Sequence, residues 1–479
     1  MPHQLKPCVE LEINQFTKRG NGIGGFLKSE NQFRLVEVPF TAPGDRIRTQ
    51  LLRKKGGIYQ GKLEEILTPS PARIEPRCLH FGKCGGCRLQ HISYAEQLLY
   101  KENLVRTLFA KLLDEQTEFY PILAADDPWH YRNKMEYTFS SDSAGNRYLG
   151  MVLEGSRGHV FNMEECFLTR PWFVDLLKSV KNWWIESKID AYHMHHDTGS
   201  LRTLTMRKGE RTGDRMVILT VSGNPKFALK KHHLESFVSV VRESIEPMNP
   251  TSYLSIFLRI QQSTKGMATN LYEMLLYGPD QIREELEIGL DGENVPRKLE
   301  FRISPSAFFQ PNTLQAEKLY ARALNLANIS RDSVVYDLYC GTGTLGICLA
   351  PFVKQVIGVE LSPEACIDAT QNAKNNGCHN VTILTGAVQY ILEQIKIKKM
   401  ADPDVVMVDP PRPGLDEDVM RQLIDMRPKK ILYISCNPLT QVANIAQLRQ
   451  HGYRVVKMQP IDQFPQTYHV EIIAVLERD

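Results

Sequence analysis

A chain of 479 residues is long enough for about three domains at roughly 150 residues each. With 42% hydrophobic and 24% charged residues it is too apolar for wholesale disorder, and no apolar run approaches the ~20 residues that span a membrane. The net charge of +3 says little about partners, and ten scattered cysteines do not make a secreted disulfide framework.

The first ten residues, MPHQLKPCVE, lack the apolar core of a signal peptide, so a cytoplasmic location without a membrane partner is expected. Residues 1–66 read as a small β domain. Val9, Leu11 and Ile13 alternate with polar residues, as in a half-buried strand, and the Gly20–Gly25 stretch and Pro43-Gly44-Asp45 mark turns. Lys62–Ile66 can close the sheet, giving a five-stranded barrel of the oligonucleotide-binding type. Lys18, Arg19, Arg53, Lys54 and Lys55 make it basic, which suits a phosphate-facing surface.

Pro69 and Pro71 mark a linker. Ser93 and Glu96 form a capping-box pattern ahead of a helix whose expected apolar face is Leu98, Val105, Leu108, Phe109 and Leu112. Residues 67–300 then read as a central α+β domain, with strands at Leu201–Arg207 and Met216–Val221 and helices at Trp172–Glu186 and His232–Ile245. From 301 to 479 short β runs at 334–338, 355–359, 381–384, 405–408, 431–434 and 453–456 alternate with helical segments. That rhythm predicts an α/β, doubly wound, largely parallel sheet, with a last strand from His469 to Leu476.

Asp337-Leu-Tyr-Cys-Gly-Thr-Gly-Thr-Leu-Gly346 follows the first of these strands and opens a helix. Its glycines let the backbone turn tightly against a ligand. Glu360 ends the next strand and can accept hydrogen bonds from both ribose hydroxyls of a nucleoside cofactor, which together with the loop points to S-adenosylmethionine. Asp409-Pro-Pro-Arg412 ends the fourth strand, where a ligand-facing carboxylate belongs.

Cys436, in Ser435-Cys-Asn-Pro438, ends the fifth strand at the mouth of the same crevice. A thiol there suits methylation of a poorly nucleophilic ring carbon. A thiolate adding to C6 of uracil turns C5 into the nucleophile, and a base must then take the C5 proton so that the thiol can leave. Such a thiol is expected in a polarising site. Glu471 interrupts a mostly apolar terminal strand and is the best candidate for the base. The target base would have to be single-stranded or flipped out of a duplex.

Cys78-x5-Cys84-x2-Cys87, with Cys166 downstream, offers four thiolate ligands for an iron–sulfur cluster or for structural zinc. The spacing is closer to a three-plus-one cluster arrangement than to paired zinc hooks.

These residues together resemble the RNA 5-methyluridine methyltransferases, in the branch with an N-terminal TRAM domain and a 4Fe–4S cluster. The resemblance covers nearly the whole chain, including Tyr131-Arg-Asn-Lys134, Ile303-Ser-Pro305 through Phe309-Gln-Pro-Asn312, and Phe464-Pro465 through His469-Val-Glu471. It implies a TRAM-like RNA-binding barrel at 1–66 and a 4Fe–4S cluster on Cys78, Cys84, Cys87 and Cys166. It also implies that Gln310, Tyr339, Glu360 and Asp409 contact S-adenosylmethionine, with Cys436 as nucleophile and Glu471 as proton acceptor. The family's usual target is large-subunit (23S) ribosomal RNA, with transfer RNA in some members. No obligate protein partner is expected, and a monomer is. Thr203, in Arg202-Thr-Leu204, stands where the family often carries His.

Four other readings meet specific objections. RNA cytosine-C5 enzymes place Pro-Cys where this chain has Asp409-Pro410-Pro411. Enzymes of exocyclic amines follow the acidic-Pro-Pro motif with an aromatic, and here Arg412 follows. Methylthiolation wants Cys-x3-Cys-x2-Cys. An RNA-binding protein without activity predicts a damaged loop or nucleophile, and both are whole.

Overall fold

The computed structural model describes residues 7–29, 32–156, 158–246, 249–262, 269–291 and 295–478. Residues 1–6, on which part of the signal-peptide reading falls, lie outside them. No helix among the described residues is long and apolar enough to cross a membrane.

Strands β1 (Cys8–Phe16), β2 (Gly22–Leu27), β3 (Phe33–Val38), β4 (Arg46–Lys55) and β5 (Ile58–Thr68) close into a barrel in the order β1-β2-β3-β5-β4. Alternation points Leu11, Ile13, Val36, Val38, Ile47 and Leu51 inward as its small core. Gly24 lets β1 and β2 meet: a Cβ there would stand 2.0 Å from the Glu12 carbonyl oxygen. The barrel ends at Thr68, two residues past the expected boundary. Asp45, buried in the turn before β4, accepts from Arg73 Nε and Nη2 at 2.7 Å each and from the N–H groups of Ala42 and Ser70. The linker is thereby pinned to the barrel.

Helix α1 (Tyr94–Phe109) starts where the sequence predicts, with the Ser93 hydroxyl accepting from the Glu96 N–H. Its buried face differs from the expected one. It is the row Gln97, Lys101, Val105, Phe109, with Tyr100 beside it, while Leu112 lies in the turn beyond the helix. Two polar residues are buried because the chain between the last two strands supplies their partners. Lys101 Nζ donates to Asp462 Oδ1 at 2.5 Å and to the Phe464 carbonyl at 3.1 Å. Gln97 donates to Gln466 Oε1 and accepts from its N–H. The short strand β6 (Glu118–Phe119) follows.

The central domain is a seven-stranded sheet in the order β13-β12-β11-β10-β7-β8-β9, from β7 (Lys134–Ser141), β8 (Arg147–Val152), β9 (Val160–Asn162), β10 (Leu201–Lys208), β11 (Arg215–Ser222), β12 (Leu254–Gln262) and β13 (Asn270–Tyr277). Helices α2 (Trp172–Ser187) and α3 (Lys231–Ile245) cover one face, where Phe173, Trp184 and Phe237 pack on Leu204, Val217 and Leu219. Met216, Ile218 and Phe257 on the other face join the core of the next domain. That core includes the hairpin β14 (Ile282–Ile288) and β15 (Arg297–Ile303), whose Leu286 and Phe301 pack with Leu319 of helix α4 (Thr313–Ala327).

Beyond α4 the expected alternation is present: β16 (Val334–Leu338), α5 (Thr344–Leu349), β17 (Gln355–Glu360), α6 (Pro363–Asn375), β18 (Val381–Thr385), α7 (Val388–Ile397), β19 (Val405–Val408), α8 (Glu417–Met426), β20 (Lys430–Ser435), α9 (Pro438–Arg449), β21 (Tyr453–Ile461) and β22 (Glu471–Arg478). The sheet order is β18-β17-β16-β19-β20-β22-β21-β6, parallel from β18 to β20, with β22 antiparallel to both its neighbours. Order reverses between β17 and β19 around β16, which makes the crevice at the carboxyl ends of these strands the natural ligand site.

Two expected boundaries are corrected by packing. Position 300 falls inside β15, whose hairpin buries its apolar face against the C-terminal domain. The α1–β6 segment, assigned to the central domain from sequence, lies on the C-terminal sheet: β6 pairs with β21, and Val105 and Phe109 join Ile445 and Tyr453 in its second core.

Lys101 and Asp462 are both fully buried, and removing one partner of such a pair leaves an uncompensated charge at a cost of about 3–5 kcal/mol. Lys101→Met alone is expected to lower the midpoint of chemical unfolding by that measure. Lys101→Met combined with Asp462→Leu should recover most of the loss.

Candidate active site

A cavity of about 830 Å³ opens at the carboxyl ends of β16, β17, β19 and β20. Gln310, Tyr339, Glu360, Asp409, Cys436 and Glu471 all line it. The six residues singled out from the sequence for this site are therefore brought to one place.

Five of them arrive at strand ends, and Gln310 in the loop between β15 and α4. Tyr339 follows β16 in the left-handed region, φ +65°, which is costly for a bulky side chain. The loop then turns through Gly341 and Gly343, the latter at φ +77° with a would-be Cβ 3.1 Å from Ala369 Cβ. Glu360 at the end of β17 accepts from the N–H of Gly341 at 3.1 Å and of Ser362 at 2.8 Å. A carboxylate has about four lone-pair sites, so this one keeps acceptors for a second partner. Gln310 is buried, and Asn133 of the central domain fixes its backbone by donating from Nδ2 to the Gln310 carbonyl at 3.0 Å.

Strand register brings Cys436 and Glu471 together. Ser435 stands opposite Ile472 in the antiparallel β20–β22 pair, so one step further Cys436 and Glu471 face the crevice as neighbours. Asn437 caps α9, its Oδ1 accepting from the Leu439 N–H, while its Nδ2 donates to the Arg412 carbonyl at 2.8 Å. The Asp409–Arg412 loop and the Cys436 turn are thus tied.

The electrostatics are those of a closed carboxylate site. Burial pushes Asp409 up to about 7. Burial, then the charge of Asp409, lifts Glu471 well above the carboxylate range, against the pull of Arg412. Asp337, buried behind the loop with Oδ2 accepting from the Gly346 N–H at 2.9 Å, is pushed up by burial to about 7. The Cys436 thiol is raised to about 11 by burial, then by Glu471 and Asp409, with Arg412 acting oppositely. This differs from the expectation of a polarising site: burial first, and then the two neighbouring acids, favour the thiol form of Cys436, and Arg412 acts the other way. Burial and the cations Arg412, Lys101 and Arg132 press His469 down to about 4, so it lines the cavity neutral.

Arg412, His469, Phe464 and Tyr320 also line the cavity and were given no role from sequence. Arg412 and His469 lie in quoted motifs, and their nearness to Cys436 and Glu471 was the available signal. Tyr320 sits on α4 with nothing local to mark it.

The four other cysteines also converge. Cys84 pairs with Leu153 in a single bridge, Leu79 N–H donates to Glu165 at 2.6 Å, and Glu164 N–H to His80 Nε2 at 3.0 Å, so the cysteine segment is stitched to the stretch that carries Cys166. Burial raises the Cys78 thiol to about 11, and the charges of Cys166 and Cys84 add to it. Cys87 is raised chiefly by burial, and Cys166, Cys84 and Cys78 all act on it. The Gly86 N–H lies 3.4 Å from Cys84 Sγ as a donor. Among the described residues no three such side chains are spaced to share a single ion.

Alkylation of Cys436 by iodoacetamide, followed peptide by peptide, should rise with pH towards about 11. Asp409→Asn removes a negative neighbour and should move that profile to lower pH, and Arg412→Gln should move it higher. A wild-type profile centred at the ordinary thiol value would overturn the electrostatic account.

The family described as tRNA (Uracil-5-)-methyltransferase matches residues 267–479. An RNA methyltransferase of Protochlamydia amoebophila is 54% identical over 441 residues, covering 92% of this chain and 99% of that protein. One from Chlamydia trachomatis is 36% identical, covering 84% and 98%. The crystal structure of the tRNA (uracil-54, C5)-methyltransferase of Pyrococcus abyssi, in complex with S-adenosyl-L-homocysteine, superposes with a TM-score of 0.72 at 22% identity, covering 98% of this chain and 100% of that one.

Proposed function

The chain belongs to the RNA (uracil-5-)-methyltransferase family, and from that premise we propose that it methylates C5 of a specific uridine in structured RNA, 23S ribosomal RNA before transfer RNA. The observation that carries this reading is the β20–β22 register, which sets Cys436 beside Glu471 in the cavity that Glu360 and Asp409 also line.

Glu360, with acceptors to spare, suits the ribose hydroxyls of S-adenosylmethionine, and Gln310, Tyr339 and Asp409 complete its site. When bound, it supplies the electrophilic methyl group. Cys436 Sγ, as the thiolate, adds to C6 of the target uracil, which makes C5 nucleophilic. Once C5 carries the methyl group, Glu471 takes the C5 proton and the Sγ–C6 bond breaks, returning the thiolate. Arg412 is the cation that favours both the thiolate and the Glu471 carboxylate needed for these steps. Neutral His469 adds no charge to oppose them.

Cys78, Cys84, Cys87 and Cys166 fit a 4Fe–4S cluster. They feel one another's charge without the spacing of a one-ion cage, and they would hold the cluster through four thiolates. The Gly86 N–H would donate to a coordinated sulfur. With the five-stranded barrel read as a TRAM-like RNA-binding domain, the cluster supports the branch whose usual target is ribosomal RNA. Transfer RNA is the second reading, favoured by the description of the matching family and by the substrate of the Pyrococcus protein.

Cys436→Ala should abolish transfer of labelled methyl to undermodified ribosomal RNA while calorimetry still shows S-adenosylmethionine binding; residual methyluridine would refute the mechanism. Glu471→Gln should accumulate a covalent protein–RNA adduct on a denaturing gel, since its departure needs the C5 proton removed. Mapping the labelled nucleoside in ribosomal and transfer RNA offered side by side decides between the substrates. Anaerobically purified protein should carry about four irons per chain, and stoichiometric zinc instead would overturn the cluster.

A further inference from the structure

On the face of the central sheet that meets the C-terminal domain, Lys134 of β7 stands directly opposite Arg207 of β10. Like charges in that position destabilise a sheet. Arg132 lies two residues before Lys134, with its Nε donating to the Lys134 carbonyl at 3.1 Å, and Arg259 of β12 also acts on Lys134 by charge repulsion. A concentration of cations with no evident structural gain marks a functional site.

The nearby carboxylates offset it only in part: Glu136 acts on Lys134, and Asp368 and Glu284 on Arg207, by charge and without a direct contact. Glu273 is taken by Arg259 at 2.6 Å. Asp368 accepts from Ser304 and Gln281, and Glu284 from Thr313 and the N–H groups of Glu210 and Arg211. Glu136 is exposed and accepts from the Thr205 hydroxyl. Among the described residues the Nζ of half-buried Lys134 makes no hydrogen bond or ion pair, and Arg207 Nη1 is buried without a partner in a residue only 3% exposed. Burial, then Arg207, Arg259 and Arg132, press Lys134 down to about 8, a cost that an anion would relieve.

The cluster adjoins the cavity. Arg207 Nη2 donates to the Ala307 carbonyl at 2.9 Å and Arg259 Nη2 to that of Pro305 at 3.0 Å, just ahead of Phe308, Phe309 and Gln310 in the cavity wall. Asn133, next to Lys134, grips Gln310. On the other side Arg132 acts on His469.

We propose that Lys134, backed by Arg132 and Arg207, binds a backbone phosphate of the RNA beside the flipped-out target nucleotide. This rests on the RNA reading above. A phosphate there would pair with Lys134 Nζ, offset the charge of Arg207, and hold the strand while its base enters the cavity. The contact is sequence-independent, so its loss should weaken every RNA substrate alike.

The test is filter binding of a uridine-containing single-stranded RNA across a salt series, with wild type, Lys134→Gln and Lys134→Arg. Inorganic phosphate runs as a parallel ligand, and S-adenosylmethionine binding reports intact folding. Lys134→Gln should weaken RNA binding several-fold and flatten the salt slope by about 0.7, the value for one phosphate on a single strand. Lys134→Arg should restore both. If wild type binds and methylates RNA and Lys134→Gln keeps the same affinity and slope, this inference alone fails. If wild type methylates no RNA, the functional reading fails and takes this one with it. If inorganic phosphate binds as tightly as RNA through Lys134, the site serves a free anion and the RNA assignment is overturned.

Discussion

The architecture converges on the segment between β21 and β22, residues 462–470, which three parts of the chain hold at once. Helix α1 supplies the Lys101–Asp462 ion pair and the reciprocal Gln97–Gln466 bonds. The central domain adds Tyr131, whose hydroxyl donates to the Pro465 carbonyl at 2.9 Å, and the C-terminal domain adds Asn312, donating to the Gln463 carbonyl at 3.0 Å. The barrel touches the same segment, since a Cβ on Gly20 would stand 3.2 Å from Tyr468 Cβ. This segment delivers Phe464 and His469 to the cavity and sets where β22 begins, at Glu471. A buried charge pair adds little net stability over a well-packed apolar pair. Its value here is placement, because Lys101 finds compensation only when the segment sits in one position.

That placement matters because the chemistry depends on charge balance among buried groups. Burial raises Asp409, Glu471 and Cys436, the charge of Asp409 adds to Glu471, both acids add to Cys436, and Arg412 opposes them. Such a site is poised and not yet activated. A cysteine held as the thiol is less open to adventitious oxidation and alkylation. The cations gathered around Lys134 follow the same logic from the RNA side in the proposal above, since an incoming anion would relieve their mutual repulsion.

Much of the fold was legible because it is written locally. Period-2 and period-3.6 apolar patterns gave the barrel, α2, α3 and the parallel strands. Ser93 gave the start of α1, and the Gly341–Gly343 turn with Glu360 gave the crevice. The face of α1 was not legible: Gln97 and Lys101 are buried by partners more than 350 residues away, and a rule that buries apolar residues passes over them. The boundary at 300 failed similarly, because an antiparallel hairpin such as β14–β15 does not say which neighbour its apolar face will cover. Tyr320 belongs to a helix whose local pattern is unremarked, and Arg132 and Lys134, though within the quoted Tyr131–Lys134 motif, had no role assigned from it.

By itself the sequence determined the residue types and their strand-end positions: a thiol after β20, a carboxylate at the start of β22, acids after β17 and β19, and a glycine turn after β16. These are consequences of chain order and side-chain chemistry. Only the tertiary structure decided that β22 runs antiparallel between β20 and β21, so that residues 35 apart in sequence stand side by side. It also decided that burial and two neighbouring carboxylates raise the thiol of Cys436. Sheet order and desolvation are properties of the assembled core, and no local stretch of sequence carries them.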